Sequence, residues 1–199
     1  MAKSKNHSLQ KITGISIFIA LIALLTVICT FVRFGPFSVT LALSAIVVGG
    51  AVYGMKSGAL LGGVFGFVVL LTGIFGWDGG TVMLLMGENA LGCIIICLGK
   101  GMAAGWVSAA VYRLFEKKSP KIGVLLSSIL CPVVNTGLFI LGMFYFFLPT
   151  LESWAGGADV LYFAIVGLTG LNFIVELVVN LVLSSGVAAV ISYGRSMRA

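Results

Sequence analysis

Apolar residues run along this chain in six long stretches, separated by short clusters of glycine, proline and charge. A helix that crosses a bilayer needs about 20 mostly apolar residues. The pattern predicts spans over residues 12–32, 38–54, 57–76, 89–115, 123–148 and 163–191. The separators are Phe34-Gly35-Pro36, Gly76-Trp77-Asp78-Gly79-Gly80, Glu116-Lys117-Lys118-Ser119-Pro120, Pro149, and the polar segment 152–159. The last apolar run is long, and residues 161–170 read either as the head of the span or as an interfacial segment. The first run is too long for a signal peptide and lacks a small-residue cleavage site. The expected organisation is a basic tail over residues 1–11, a six-helix bundle over 12–193 and a short tail over 194–199.

Composition supports this class. Of 199 residues, 60% are hydrophobic and 9% charged, whereas soluble domains carry about a quarter charged residues. That much apolar surface requires lipid as part of the solvent. The net charge of +6 could suggest nucleic acid as a partner, but the basic residues sit at helix ends and orient the chain instead. With the N-terminus inside, cytoplasmic segments hold Lys3, Lys5, Lys11, Lys56, Arg113, Lys117, Lys118, Lys121, Arg195 and Arg198, ten of the twelve basic residues. The outer side holds Arg33 with the acids Asp78, Glu88, Glu152 and Asp159. This bias predicts six crossings with both termini cytoplasmic.

Several chemistries lack their residues. No Walker-type G-x-x-x-x-G-K-[ST], H-E-x-x-H or G-x-S-x-G motif occurs, and His7 lies in the polar tail, so no enzyme, cofactor or metal is expected. Cys29, Cys93, Cys97 and Cys131 all fall in apolar runs and read as packing residues. No inverted repeat of broken helices marks a self-contained transporter. Gly58, Gly62 and Gly66, and Gly101, Gly105 and Ala109, recur every four residues. They predict close helix contact within the bundle or with a partner subunit.

Two ionisable residues remain at mid-membrane, Lys100 and Glu176. Each costs a few kcal/mol there unless it meets a polar cavity or a partner. At 1.5 Å per residue, Lys100, Asn135 and Glu176 lie about 16–20 Å from their span ends, near the middle of a core about 30 Å thick. Asn172, Glu176 and Asn180 form one stripe at spacings of four, and Asn89 shares a face with Cys93, Ile96 and Lys100. Asn135, Phe139, Gly142 and Phe146 align on the fifth span. Three spans thus offer polar groups and aromatics to one outward-opening pocket. On these residues alone, Lys100 and Glu176 could also form an internal ion pair, or serve a small channel or exchanger.

The runs Gly35-Pro36-Phe37-Ser38-Val39-Thr40-Leu41-Ala42-Leu43, Ile46-Val47-Val48-Gly49-Gly50-Ala51-Val52-Tyr53-Gly54 and Gly58-Ala59-Leu60-Leu61-Gly62 carry a family pattern. So do Leu98-Gly99-Lys100-Gly101-Met102-Ala103-Ala104-Gly105, Cys131-Pro132-Val133-Val134-Asn135-Thr136 and Asn172-x-x-x-Glu176. Together they resemble the S components of energy-coupling factor (ECF) transporters, the vitamin-binding subunits of bacterial importers. The resemblance implies a six-helix bundle of the bacterial plasma membrane that captures a small vitamin with high affinity at the outer face. The implied partners are a transmembrane scaffold subunit and two ABC ATPases. It points to Asn89, Lys100, Asn135, Asn172 and Glu176 as substrate-binding residues, and to loops bearing Phe34, Phe37 and Trp77 as a lid. The family's small-residue scaffold-coupling patch has its nearest matches in Ser16, Ala20 and Ala23. Asn135-Thr136 and the Asn172/Glu176 stripe look most like the pantothenate branch, with riboflavin and folate as other vitamins of the class.

Overall fold

A computed structural model describes residues 2–31 and 40–196, with side chains described at residues 9–31, 40–184 and 186. Every regular element among the described residues is helical. They are α1 (Ala2–Thr30), α2 (Ala42–Tyr53), α3 (Met55–Ile74), α4 (Thr81–Phe115), α5 (Pro120–Phe146), α6 (Leu148–Ala155) and α7 (Val160–Tyr162). A π-helical segment, Phe163–Leu168, then leads into α8 (Gly170–Ser196).

Four helices are long and apolar enough to cross a membrane, over Leu9–Thr30, Met55–Ile74, Thr81–Phe115 and Pro120–Phe146. The bent pair Val160–Leu168 and Gly170–Ser184 makes a fifth. The remaining predicted span, 38–54, is represented among the described residues by α2, whose 12 residues rise only about 18 Å. Ten consecutive α2 residues, from Ala42 to Ala51, are buried. A helix apolar on every side needs cover on every side, and α2 packs against α1, α3, α4, α5 and α8.

Local chemistry explains where the elements depart from the hydropathy pattern. α1 continues back through the basic tail to Ala2, where no glycine or proline interrupts it. Pro149, which the pattern reads as the end of the fifth span, also opens α6 from its first turn, a position where its missing N–H costs nothing. Residues 81–88 form a helix ahead of the predicted fourth span, because Asp78 caps it: its Oδ1 accepts from Gly80 N at 2.9 Å and its Oδ2 from Val82 N at 2.8 Å.

The tightest contact joins α3 to α4. A Cβ placed on Gly58, Gly62 or Gly66 would collide with the backbone carbonyl of Gly105, Gly101 or Cys97 respectively. In return, Cβ atoms on Gly101 and Gly105 would strike the carbonyls of Gly62 and Gly58. Both glycine strips are therefore spent inside this chain, one against the other. In lipid, where apolar burial drives no helix pairing, such close backbone approach is what holds helices together.

Replacing Gly62 by Val will push Met102 and Gly101 backbone atoms away and cost about 1–3 kcal/mol, seen as a lower thermal midpoint in detergent. Gly87 meets nothing within 4 Å, so Gly87→Ala will leave that midpoint unchanged or slightly higher. Equal effects of the two substitutions would refute the backbone seam.

Candidate functional site

α4 is two helices joined at a break. Asn89 has φ −151° and ψ 87°, outside helical space, and its Oδ1 accepts from Gly92 N at 2.9 Å. That is an N-cap bond for the helix that follows, and it starts where hydropathy placed the fourth span. Ahead of the break, Glu88 accepts a hydrogen bond from the Thr150 hydroxyl, tying α6 to the first part of α4.

The other two helices with predicted site residues are also irregular near them. Pro132 sits inside α5, where it cannot donate to the carbonyl of Ser128. It lies three residues before Asn135. On the last span the π-helical turn ends at Thr169, three residues before Asn172, and the axis bends by 44° there. The Thr169 hydroxyl donates to the Ala164 and Ile165 carbonyls at 3.0 and 3.3 Å, covering groups that the wider turn frees.

Between these helices lies a cavity of about 100 Å³. Lys100, Asn135, Asn172 and Glu176 all line it, so the structure brings four of the five predicted residues together. Asn89 is not part of the lining; its side chain is engaged in capping. Asn180, the third member of the polar stripe, is buried outside the lining and donates through Nδ2 to the Glu176 carbonyl at 2.8 Å.

The two charged residues form no direct ion pair with each other. Lys100 Nζ stands 4.8 Å from the centroid of the Phe139 ring, within cation–π range. Among the described residues it has no carboxylate within ion-pair distance. Glu176 is 5% exposed and uses Oε1 to accept from Thr40 N at 3.2 Å. Its other oxygen has no hydrogen-bond partner among the described residues. Asn135 Oδ1 is buried without a partner as well. Unsatisfied buried polar groups of this kind cost about 1–3 kcal/mol each, and they collect in a space that a polar ligand can fill.

The hydropathy reading missed half the wall. Thr26 and Thr30 of α1, Thr40, Phe65, Val69 and Thr72 of α3, and Asp78 also line the cavity. Threonine was the available signal, since six of the chain's nine threonines line this one space. Of the predicted lid residues, Trp77 is exposed and lies 6.1 Å from Phe31 and 5.8 Å from Phe75, centroid to centroid. It is Asp78 beside it that reaches the cavity. Phe34 and Phe37 lie outside the described residues. Ser16 and Ala20 are exposed on α1, and Ala23 is half-buried.

An all-helical bundle with apolar outer faces and a mostly apolar cavity carrying a few polar groups is the arrangement of a multi-pass membrane protein with a candidate small-molecule site. The chain matches the ECF transporter substrate-specific component family over residues 10–191, and it belongs to that family. Its members are the substrate-binding subunits of transporters whose scaffold and ATPase modules are separate proteins. None of the curated proteins matches the chain significantly.

Asn89→Ala will cost about 1 kcal/mol of stability, whereas Asn89→Ser, which keeps a capping oxygen, will cost a few tenths. Thermal unfolding in detergent checks this, and equal losses would show that capping is not what Asn89 supplies.

Proposed function

We propose that this chain captures a small carboxylated vitamin, pantothenate being the best match, and presents it to an ECF scaffold with two ABC ATPases. The observation that carries the reading is the Lys100 ammonium, held inside the cavity above Phe139 with no carboxylate of its own. A half-buried ammonium with no carboxylate at ion-pair distance among the described residues is costly inside the bundle, and a ligand carboxylate is the natural group to complete it. Asn135, Asn172 and Glu176 face the same space and fix the rest of the molecule. Asn89 contributes by starting the helix that positions Lys100 rather than by touching the ligand.

The same reading places six crossings in a bacterial plasma membrane with both termini cytoplasmic, as the distribution of basic residues favours. α2 then crosses as a short, protein-covered helix. The cavity opens outward beneath the loop carrying Trp77 and Asp78. The exposed small residues Ser16 and Ala20, with Ala23, form the surface that meets the scaffold.

Lys100→Met will weaken binding of pantothenate about 100-fold or more, the scale lost when one partner of a buried charged contact is removed. The variant will still purify as a folded bundle. Titration calorimetry on detergent-purified protein measures it, and an unchanged affinity would show that the lysine does not meet the ligand.

A further inference from the structure

Two thiols lie in the cavity wall and take no part in the proposed capture of a carboxylate. Cys93, Ile96, Cys97 and Lys100 all line the space, so one face of α4 forms a continuous wall. The helix is regular there, because its break falls earlier, at Asn89. Cys93 and Cys97 stand one turn apart, both buried and both free of disulfides. Their thiols are close enough to hydrogen-bond to each other. The other two cysteines, Cys29 on α1 and Cys131 on α5, lie outside the lining. Buried cysteines packed in apolar surroundings are inert; this pair differs in bordering a cavity.

Helix geometry limits what the pair can bond. Side chains four residues apart on a helix have Cβ atoms about 5–6 Å apart, whereas a disulfide needs about 3.5–4.5 Å. Direct closure would distort α4 where the Cys97 carbonyl is pressed against Gly66. A single bridging atom supplies the missing length without moving the helix. It has to be soft, to prefer sulfur over the oxygen ligands nearby. Zinc wants four ligands, and no group of three or more His, Cys, Asp or Glu occurs among the described residues. Trivalent arsenic with one bond to carbon needs only two sulfurs. Val82, Leu85, Ile96 and Phe139 pack in the same cluster as the thiols, which suits a neutral adduct with a small apolar substituent.

We propose that Cys93 and Cys97 form a dithiol site in the cavity wall that binds trivalent organic arsenic. Methylarsonous acid, CH3As(OH)2, is a small member of that class. Each thiol replaces one hydroxyl: an As–S bond forms, an As–O bond breaks, and the thiol proton leaves on the hydroxyl as water. Two thiols release two waters, arsenic stays trivalent, and the product is uncharged. The site is independent of which molecule Lys100 meets.

The test uses full-length protein in detergent, treated with methylarsonous acid and read by intact mass spectrometry. The mass will rise by one CH3As less two protons per chain. The adduct will survive excess 2-mercaptoethanol, a monothiol, and come off with 2,3-dimercaptopropanol, a dithiol. Closing the second As–S bond is intramolecular, so Cys93→Ser and Cys97→Ser will each release arsenic to the monothiol about 100-fold faster. Peptide mapping of the loaded wild type gives a readout that needs no variant to fold. Alkylation after unfolding will label Cys29 and Cys131 and spare Cys93 and Cys97. Labelling of Cys93 or Cys97 in that experiment overturns the inference. So does undiminished retention of arsenic in either single variant, or the absence of any adduct on the wild type.

Discussion

The backbone seam between α3 and α4 is the constraint on which the rest of the bundle depends. With Gly58, Gly62 and Gly66 pressed onto the carbonyls of Gly105, Gly101 and Cys97, helix α4 can neither rotate nor slide relative to α3 without a clash. Lys100 precedes Gly101, so it points about 100° around the helix from that seam, at 3.6 residues per turn. This rotation carries it away from α3 and over Phe139 of α5. In water, apolar burial would tolerate some slippage; in lipid, helix association rests on contact itself, and glycine allows the shortest contact. The residues that hold the fold and the residue proposed to meet the ligand are thus neighbours on one helix, and the first set aims the second.

Three breaks in regular helix surround the same cavity. α4 is interrupted at Asn89, α5 carries Pro132, and the last span passes through a π-helical turn that ends at Thr169. Irregular backbone at membrane depth is tolerated where it is covered by protein or lines a cavity. Here the freed groups are met by side chains, as with Thr169 on the Ala164 and Ile165 carbonyls and Asn89 on Gly92 N. The breaks let the helices splay enough to hold a ligand-sized space while the α3–α4 seam stays closed. The polar residues of the site sit within a turn of two of these breaks, Asn135 after Pro132 and Asn172 after Thr169.

Burial of α2 supports the same arrangement from the centre. Its ten-residue buried stretch, from Ala42 to Ala51, packs between the longer helices. The backbone N–H of Thr40, just ahead of it, donates to Glu176. Glu176 is therefore held by one oxygen to the start of the central helix and offers the other to the cavity. Lys100 is held by packing and an aromatic face instead. The two charges line one space without a direct ion pair between them.

Hydropathy was enough to establish a multi-pass helical membrane protein, because a chain with so few charges and such long apolar runs has no soluble alternative. The stripe of Asn172 and Glu176, and the isolated Lys100, were legible for a related reason: a polar residue deep in an apolar run stands out against the cost of putting it there. Which glycine strips met each other, and that Asn89 caps a helix while Asn135 faces the cavity, depended on helix rotation and on local breaks that hydropathy does not encode. The threonines of α1 and α3 were hidden because threonine satisfies its own hydroxyl within a helix and so disturbs no apolar pattern. Only the tertiary structure could show that three of them meet Thr40, Thr136 and Thr169 around one cavity, since their convergence is a property of packing between distant helices and leaves no periodicity in any one of them.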